Sequence, residues 1–254
     1  MLIILSPAKS LNFEPKSGVK SSEIRFSKET KLVMQELLKY SKQDLEKLLK
    51  MSSKLAELNY IRFREWKWPH PEASSKQALL AFDGDVFDGM ETKTLTKKNL
   101  DYAQNSIRIL SAVYGVLRPL DLIMPYRMEM AAPLSVAGSK NMYDFWGEKL
   151  ANSIEADMKE NNQNVLLNLA SSEYSKAVLP HLDKKIKVIS CDFREQKGDK
   201  LQMVSFFAKK ARGMMSRFII NHEISDPEYL QGFTEGGYLY KPELSSDSKL
   251  MFVR

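Results

Sequence analysis

Cysteine and histidine are scarce in this chain, and their scarcity removes several kinds of site. Among 254 residues there is one cysteine, Cys191, so no internal disulfide can form and a reducing compartment is expected. The three histidines, His70, His181 and His222, are far apart, and none has the spacing of a zinc site. The Glu-x-x-His pair of di-iron bundles is missing as well. The sequence therefore predicts no bound metal and no cofactor.

Long apolar runs are also missing. No segment approaches the roughly 20 apolar residues that cross a bilayer. Residues 1–9 carry no basic stretch ahead of an apolar one, so we expect neither a membrane span nor a secretion signal. The composition, 43% apolar and 28% charged, is that of an ordinary soluble globular protein. With the single cysteine, it predicts a cytoplasmic protein.

The familiar loops that bind nucleotides or present a nucleophile are not found. The chain has no Gly-x-x-x-x-Gly-Lys-Ser/Thr, no Gly-x-Gly-x-x-Gly after a strand, and no Gly-x-Ser-x-Gly elbow. These absences argue against the common nucleotide hydrolases, dehydrogenases and serine hydrolases. A magnesium site at Asp83, Asp85 and Asp88 stays open, because Mg²⁺ accepts one or two carboxylates plus water. A plain Asp/Gly turn explains the same residues.

The positive charge of the chain is moderate and unevenly distributed. The net charge is +6, and residues 1–50 carry ten Lys/Arg against six Asp/Glu. Residues 101–200 balance at thirteen against thirteen. The excess in the N-terminal part is explained either by an anionic partner such as nucleic acid or by a solvated lysine-rich surface.

The pattern of apolar residues predicts a mixed α/β fold with a central sheet. We treat residues 1–254 as a single domain that carries an inserted helical subregion at about residues 27–70. Short apolar runs predict strands at residues 2–5, 77–82, 164–169, 187–192 and 201–207. Helical spacing predicts helices at residues 27–40, 43–51, 54–66, 143–159, 171–178 and 208–221, and another that follows Thr96 and reaches Leu110. Residues 83–89 are expected to form an acidic turn.

Two predicted strands end in polar residues that could build a site. Ser6-Pro7-Ala8-Lys9 follows the first strand, and Asn168-Leu169-Ala170-Ser171-Ser172-Glu173 repeats the layout of strand, loop and helix. Strand ends in α/β sheets are where ligands usually bind. Lys9 could contact a phosphate or act as a Schiff-base nucleophile. A surface lysine and a helix-dipole carboxylate explain the same residues.

The segment Tyr114-Gly-Val-Leu-Arg-Pro-Leu-Asp-Leu-Ile-Met-Pro-Tyr-Arg-Met-Glu-Met130 sets four charged residues among apolar ones. These are Arg118, Asp121, Arg127 and Glu129. Gly115, Pro119 and Pro125 prevent a long helix, yet the neighbouring residues favour burial. Charges at the edge of a core need partners, which are either one another or a ligand.

Two basic segments are candidates for phosphate contact. The predicted helix around residues 206–218 has four cations and no acid, and Lys209, Arg212 and Ser216 fall on one face. In the helical subregion, Lys47, Lys50 and Lys54 flank a tight turn with a helix-hairpin-helix-like outline. That outline lacks the Gly-hydrophobic-Gly turn of the motif. A plain basic face and a plain helical hairpin remain alternatives.

Eight stretches of the chain, taken in order, resemble one family, the YaaA-like bacterial peroxide-stress proteins. They are LIILSPAKSLNF, LLKMSSKLAELNYIRFREW, ALLAFDGDVFDG, ILSAVYGVLRPLDLIMPYRMEM, YDFWGEKL, NLASSEYSKAV, SFFAKKARGMMSRFII and LQGFTEGGY. The resemblance extends over nearly the whole chain without a gap. Asp83 departs from the family pattern, which has lysine or a variable residue there, and this weakens the three-carboxylate metal site.

The resemblance implies a cytoplasmic protein with an unusual α/β fold that limits peroxide damage by lowering unincorporated iron. It also implies binding of double-stranded DNA through a basic cleft and a helix-hairpin-helix-like element, with no reaction firmly attached to the family. The family's shared polar positions correspond here to Lys9, Asp85, Tyr114, Arg118, Asp121, Tyr126, Arg127, Glu129, Asn168, Ser171, Glu173, Tyr174, Lys209, Lys210, Arg212 and Arg217.

Three functional hypotheses follow. The first is a DNA-binding stress protein, whose anion-binding residues are Lys9, Lys47, Lys50, Lys54, Asn168, Ser171, Lys209, Lys210, Arg212 and Arg217. The second is an enzyme acting on nucleic acid or a modified nucleobase, with the catalytic candidates Lys9, Arg118, Arg127, Glu129 and Glu173. A direct iron sequestrant is weaker, because scattered histidines leave mainly carboxylates as ligands. Convergence in one pocket of Lys9, Arg118, Arg127, Asn168 and Glu173 favours catalysis, while their dispersal along a groove favours binding.

Overall fold

Twelve strands and ten α-helices are defined in the computed structural model, which describes residues 1–15 and 18–254. The strands are β1 Leu2–Leu5, β2 Ser10–Leu11, β3 Lys76–Gln77, β4 Phe82–Asp83, β5 Ile107–Ser111, β6 Gly115–Leu117, β7 Leu122–Ile123, β8 Val165–Asn168, β9 Lys187–Lys197, β10 Lys200–Gln202, β11 Leu239–Tyr240 and β12 Lys249–Val253. The helices are α1 Ser27–Leu37, α2 Lys42–Leu48, α3 Ser53–Glu65, α4 Ala78–Ala81, α5 Asp85–Met90, α6 Lys97–Ser106, α7 Met142–Trp146, α8 Lys149–Glu160, α9 Ser172–Ser175 and α10 Ser205–His222.

The predicted mixed α/β fold is confirmed, and its centre is a mostly parallel sheet. Within the described residues this sheet has eight strands in the order β11-β12-β9-β8-β1-β5-β6, with β10 paired to β9. The five strands from β12 to β5 are parallel, and β6, β10 and β11 pair antiparallel at the margins. Strand β1 is fully buried, as its continuous apolar run predicts.

The position of β1 determines where a site can form. It lies between β8 and β5, with Ile4 opposite Asn168 and Leu5 opposite Ile109. The chain therefore adds β5 on one side of β1 and later adds β8 on the other side, so the strand order reverses at β1. A sheet of this order has a crevice beyond the carboxyl ends of its central strands. The segments that follow β1 and β8 meet in that crevice.

Helices α2 and α3 occupy the helical subregion near their predicted ranges. The Ser41 hydroxyl accepts a hydrogen bond from the Asp44 backbone N–H, and the Asp44 carboxylate accepts one from the Ser41 backbone N–H, so the two residues form a capping box at the start of α2. Leu45 and Phe63 bury this pair of helices against the core. A helix-hairpin-helix role for the subregion stays a prediction. That residues 1–254 form a single domain also stays a prediction.

The predictions for residues 77–82 and 83–89 are wrong in detail. Residues 77–82 are mostly the short helix α4 between the two-residue strands β3 and β4, not a continuous strand. Residues 85–90 form α5, not an acidic turn. Gly89 permits close packing instead of a turn, because a β-carbon at this position would lie 2.1 Å from the carbonyl oxygen of Lys210.

Three predicted elements end earlier or start elsewhere. The helix predicted for residues 143–159 is divided at Gly147, which has φ of +45°, into α7 and α8. The helix after Thr96 ends at Ser106, and Leu110 belongs to β5. The strand predicted for residues 201–207 stops at Gln202, and α10 begins at Ser205. In each case the apolar pattern continues across the boundary between two elements, so it predicts a single element there.

The apolar core is one cluster of buried side chains that draws on most elements, from Met1 to Phe252. It contains large rings such as Trp146 and Tyr114 at full burial. None of the helices in the described ranges is both long and apolar enough to span a membrane.

Candidate functional site

A cavity of about 470 Å³ lies beyond the carboxyl end of the central strands. Its wall comprises the loop after β1, the loop and short helix after β8, the β4–α5 connection, residues 126–129 and the outer face of α10. The charged residues that line it are Lys9, Asp83, Asp85, Arg127, Glu129, Glu173, Lys209 and Arg212. Pockets of several hundred Å³ with convergent polar groups are the usual form of small-molecule sites.

Two serines join the loops at the ends of β1 and β8. The Ser171 backbone N–H donates to the Ser6 hydroxyl oxygen at 2.8 Å, and the Ser6 hydroxyl donates to the Ser171 oxygen at 3.1 Å. Asn168 stabilises the same turn, since its side-chain oxygen accepts from the Ala170 N–H at 3.0 Å. The two loops are thus held together as one wall of the cavity.

Helix α9 is shorter than the predicted helix at residues 171–178. It extends only from Ser172 to Ser175, so it contributes little macrodipole. The predicted anion-binding role of Ser171, which precedes this helix, therefore has weak support from the helix dipole. Glu173 accepts a hydrogen bond from the Ala131 backbone N–H at 3.1 Å, which orients the carboxylate at the cavity wall.

Lys9, Glu129 and Arg127 form an ion-paired triad in the cavity. Glu129 Oε1 is 3.0 Å from Lys9 Nζ and 3.4 Å from Arg127 Nη2. The Glu129 and Arg127 side chains are each 17% exposed, whereas Lys9 is 66% exposed. Lys9 therefore stands at the mouth, and the other two charges lie deeper. Burial strengthens their mutual attraction and raises the cost of any charge left without a partner.

Helix α10 adds two cations with different surroundings. Lys209 is half exposed, and its Nζ lies 3.4 Å from Asp85 Oδ2. Arg212 forms no side-chain hydrogen bond or ion pair with any described residue, although it lies in the wall of the cavity. Burial lowers the pKa of the Arg212 guanidinium, and the nearby Asp192 carboxylate opposes this shift only in part. The N–H donors of the Arg212 guanidinium are thus not used by any described side chain.

Unpartnered buried atoms concentrate at this cavity. Seven buried side-chain polar atoms in the described residues have no hydrogen-bond partner. Three of the seven, Arg127 Nε, Glu129 Oε2 and Arg212 Nε, belong to residues that line the cavity. Buried polar groups in native proteins are normally satisfied, so each exception calls for an explanation. A polar ligand with both anionic and hydrogen-bond-donating groups would satisfy all three.

Two buried tyrosines support the floor. Tyr126 shares a hydrogen bond with the Ser111 hydroxyl at 2.7 Å, at the end of β5. Burial raises the pKa of the Tyr126 and Tyr174 hydroxyls far above their ordinary value. Both therefore stay protonated at neutral pH, when a phenol can donate as well as accept a hydrogen bond.

The structure brings together seven of the residues predicted as site residues. Lys9, Arg127, Glu129, Ser171, Glu173, Lys209 and Arg212 line the cavity. Their catalytic or binding roles stay predictions. Of the five residues whose convergence favours catalysis, Lys9, Arg127 and Glu173 converge, whereas Arg118 and Asn168 do not line the cavity.

Arg118 belongs to a separate clamp. Its Nε donates to the Asp121 carboxylate at 3.0 Å, its backbone N–H donates to the same carboxylate at 2.8 Å, and Nη2 donates to the Glu23 carbonyl oxygen. Asp121 is fully buried and also accepts from the Ser22 hydroxyl. This is the buried ion-pair arrangement that the sequence left open for the segment.

Arg217 and Lys210 do not line the cavity. Arg217 donates to the carbonyl oxygens of Met90 and Glu91 and to the Thr94 hydroxyl, so it closes the C-terminal end of α5. Lys210 is exposed on α10. Lys47, Lys50 and Lys54 are exposed on the helical subregion and do not line the cavity either.

The three aspartates considered for magnesium do not all line one cavity. Asp83 and Asp85 line the first cavity, where Asp85 pairs with Lys209, whereas Asp88 lines a second cavity. Within residues 1–15 and 18–254, no group of three or more His, Cys, Asp and Glu is placed to hold a metal ion. The ion pair of Asp85 was missed from the sequence, because its partner is more than 120 residues away.

Comparison with known proteins places the chain in a family. The family model described as peroxide stress protein YaaA matches residues 1–244. A UPF0246 protein of Dechloromonas aromatica is 42% identical over 257 residues, covering 100% of this chain and 99% of that relative. UPF0246 proteins of Acaryochloris marina and Cupriavidus metallidurans are 41% and 43% identical, each over 100% of this chain and at least 98% of the relative. The chain therefore belongs to the peroxide stress protein YaaA family.

Proposed function

We propose that the protein acts in the cytoplasm as a double-stranded DNA-binding protein of the peroxide-stress response and helps to limit iron-dependent oxidative damage. Family membership supports the peroxide-stress role. The observation that carries the DNA proposal is the unpaired guanidinium of Arg212, which lies in the cavity wall on a helix without a single acidic residue. Guanidinium groups bind phosphate with paired hydrogen bonds.

The charges around Arg212 suit contact with a phosphate backbone at the rim. Lys209 and Lys210 are exposed on the same helix, and Lys9 stands at the mouth. Deeper in, Glu129 balances Arg127, and over the whole lining four acids balance four cations. Phosphate therefore has favourable contacts at the entrance and at Arg212, while the floor suits a single nucleotide unit better than a continuous polyanion.

The first experiment reverses charge on α10. We expect Lys209→Glu/Lys210→Glu to weaken binding of a short labelled duplex and to reduce the salt slope by about 1 for each lysine lost, from roughly 50 to 200 mM salt. The matched control is Lys184→Glu/Lys185→Glu, which makes the same charge change in the exposed turn before β9, at the opposite edge of the sheet. Fluorescence anisotropy measures both.

Equal weakening by the two double variants would show only a general charge effect and would contradict a site on α10. Arg212→Gln tests the cavity itself, because it removes the cation and keeps most of the side-chain length. We expect lower duplex affinity with an unchanged thermal melting curve. Unchanged affinity in Arg212→Gln would remove this residue from the phosphate site.

The protective role has its own test. A supercoiled plasmid treated with Fe²⁺ and hydrogen peroxide acquires strand breaks, and we expect the wild-type protein to reduce their number more than Lys209→Glu/Lys210→Glu does. A colorimetric assay of free Fe²⁺ in the same mixtures separates shielding of DNA from removal of iron. Equal strand breakage with and without the wild-type protein would contradict protection at DNA.

A second candidate function is an enzyme acting on nucleic acid or a modified nucleobase. The observation that favours it is the Lys9–Glu129–Arg127 triad, in which Glu129 Oε2 is buried without a partner among the described residues. Glu129 holds the Lys9 side chain at the mouth of the cavity, 3.0 Å away, and the amine of such a lysine is a nucleophile once it has lost its proton. Glu173 is a second carboxylate in the same cavity and a candidate acid or base.

Trapping with borohydride tests this candidate. The Lys9 amine would attack the aldehyde carbon of an opened deoxyribose, water would leave, and borohydride would supply hydride to reduce the imine to a secondary amine. We expect a covalent adduct on a duplex with an abasic site, and none with Lys9→Arg. No adduct or product across a panel of damaged duplexes would eliminate the Lys9 nucleophile.

A further inference from the structure

Exposed apolar side chains concentrate in a short strip beside the cavity. The strip comprises Leu201, Met203, Val204, Phe206 and Phe207, between the end of β10 and the first turn of α10. Met203 is 57% exposed and Phe206 is 53% exposed. Single exposed apolar residues need no explanation, but a contiguous group marks an interaction surface.

The aromatic part of the strip is held in place from one side. The Arg254 guanidinium lies 4.4 Å from the centre of the Phe207 ring, and Arg254 Nε donates to Glu195 Oε2 at 2.7 Å. Phe207 in turn contacts Phe206, with ring centres 5.5 Å apart at an angle of 63°. Phe206 is thus supported by a fixed ring while more than half of its own surface faces solvent.

Charge determines which partner fits this strip. Phe206 is three and four residues before Lys209 and Lys210, so all three share one side of α10. Lys200 extends the positive charge onto β10. A second copy of the chain would bring the same lysines into opposition. A partner with planar apolar groups spaced along an anionic backbone matches both the ring and the lysines.

We propose that Phe206 is a stacking platform for an unpaired base of DNA whose phosphates contact Lys209 and Lys210. This inference rests on the proposed DNA binding and specifies the preferred substrate as DNA with a gap, a bulge or an extruded base. Aromatic rings bind bases through their faces with little dependence on sequence. An intact duplex hides these faces, so the ring contributes only where a base is free.

The experiment compares gapped and intact duplexes of the same sequence. For the wild type we expect about tenfold tighter binding to the gapped duplex and quenching of a 2-aminopurine placed in the gap. Phe206→Leu keeps an apolar side chain but removes the ring, and we expect it to bind both duplexes equally. Phe206→Trp restores the ring and should restore the preference. Tyr229→Leu, which removes an exposed ring outside the strip, is the control and should keep the wild-type preference.

The outcomes separate this inference from the function on which it rests. If the wild type binds neither duplex, the proposed DNA binding fails. If it binds both equally, or if Phe206→Leu keeps the wild-type preference, the stacking platform is overturned and DNA binding stands. Light scattering adds one more arm, because a wild-type dimer that becomes a monomer in Phe206→Leu would identify a second copy as the occupant and overturn the inference.

Discussion

Gly213 of α10 lies directly against the carbonyl oxygen of Val86 in α5, where an added β-carbon would be only 1.9 Å from that oxygen. Gly89 makes the reciprocal approach to the Lys210 carbonyl. The two helices therefore cross with their backbones in contact, which only glycine permits. This crossing holds Lys209 beside Asp85 at the cavity. Two glycines that have no functional side chain thus set the geometry of the candidate site.

The first prediction concerns Gly213→Ala. Because the added methyl group meets backbone rather than a flexible side chain, the helices must separate, and we expect a loss of about 2–3 kcal/mol in the free energy of unfolding. Urea denaturation measures this loss. Gly232→Ala is the control, since no described atom lies within 4 Å of its added β-carbon. Similar unfolding midpoints for the two variants would contradict the close helix crossing.

The crossing also explains where prediction from sequence failed. A continuous apolar run predicts a buried strand such as Leu2–Leu5, and this prediction is confirmed. Around Gly84 and Gly89 the same local rules indicate a turn, because glycine permits turns as well as close packing. The difference depends on Lys210, whose position on α10 no local pattern reveals.

Predictions for the candidate site divide along the same line. Lys9 and Ser171 follow strands, so strand order alone brings them to one edge of the sheet. Arg118 and Arg217 come from equally suggestive motifs, yet both have protein partners. Arg118 pairs with Asp121, a pairing that the sequence left open, whereas the partners of Arg217 on and after α5 could not be identified from the sequence. A charged residue in an apolar motif thus needs a partner. Only the fold determines whether that partner is another residue or a ligand.

The second prediction concerns the buried pair of Asp157 and Arg108. Both side chains are 2% exposed, with Arg108 Nε 2.5 Å from Asp157 Oδ2, and Arg25 donates to the same carboxylate. Asp157→Asn leaves two arginines facing a neutral amide, so we expect a loss of about 3–5 kcal/mol in the free energy of unfolding at pH 7. Urea denaturation against the wild type measures the difference.

The same pair predicts the acid dependence of stability. Burial raises the pKa of Asp157, but hydrogen bonds and charges from Arg25 and Arg108 outweigh it and hold the pKa below its ordinary value. The stabilisation is therefore complete above the unfolded-state pKa of about 3.9 and is lost as pH falls through the folded-state pKa. The wild type should lose its advantage over Asp157→Asn below about pH 4. An advantage that grows on acidification would contradict this pairing.

The third prediction separates two arginines of one segment. Arg118→Ala removes the partner of the buried Asp121 carboxylate, and we expect a loss of about 1–3 kcal/mol in the free energy of unfolding with duplex affinity unchanged. Arg127→Ala, in the cavity, should weaken binding of DNA with a smaller effect on stability. Thermal melting and anisotropy are measured on both variants. If stably folded Arg118→Ala loses as much affinity as Arg127→Ala, the clamp belongs to the binding site.

The fourth prediction concerns the thiol in a protein of the peroxide-stress family. Cys191 is buried in β9, and burial raises the pKa of its thiol to about 12, although the nearby Arg212 lowers it. Thiolate is the form that reacts with peroxide and alkylating agents, so native Cys191 should resist both. We expect iodoacetamide to label it only after unfolding in urea, and Cys191→Ala to protect plasmid DNA from Fe²⁺ and peroxide as the wild type does. Rapid labelling of the native protein, or loss of protection in a folded Cys191→Ala variant, would contradict this prediction. It would indicate that the peroxide response depends on this thiol.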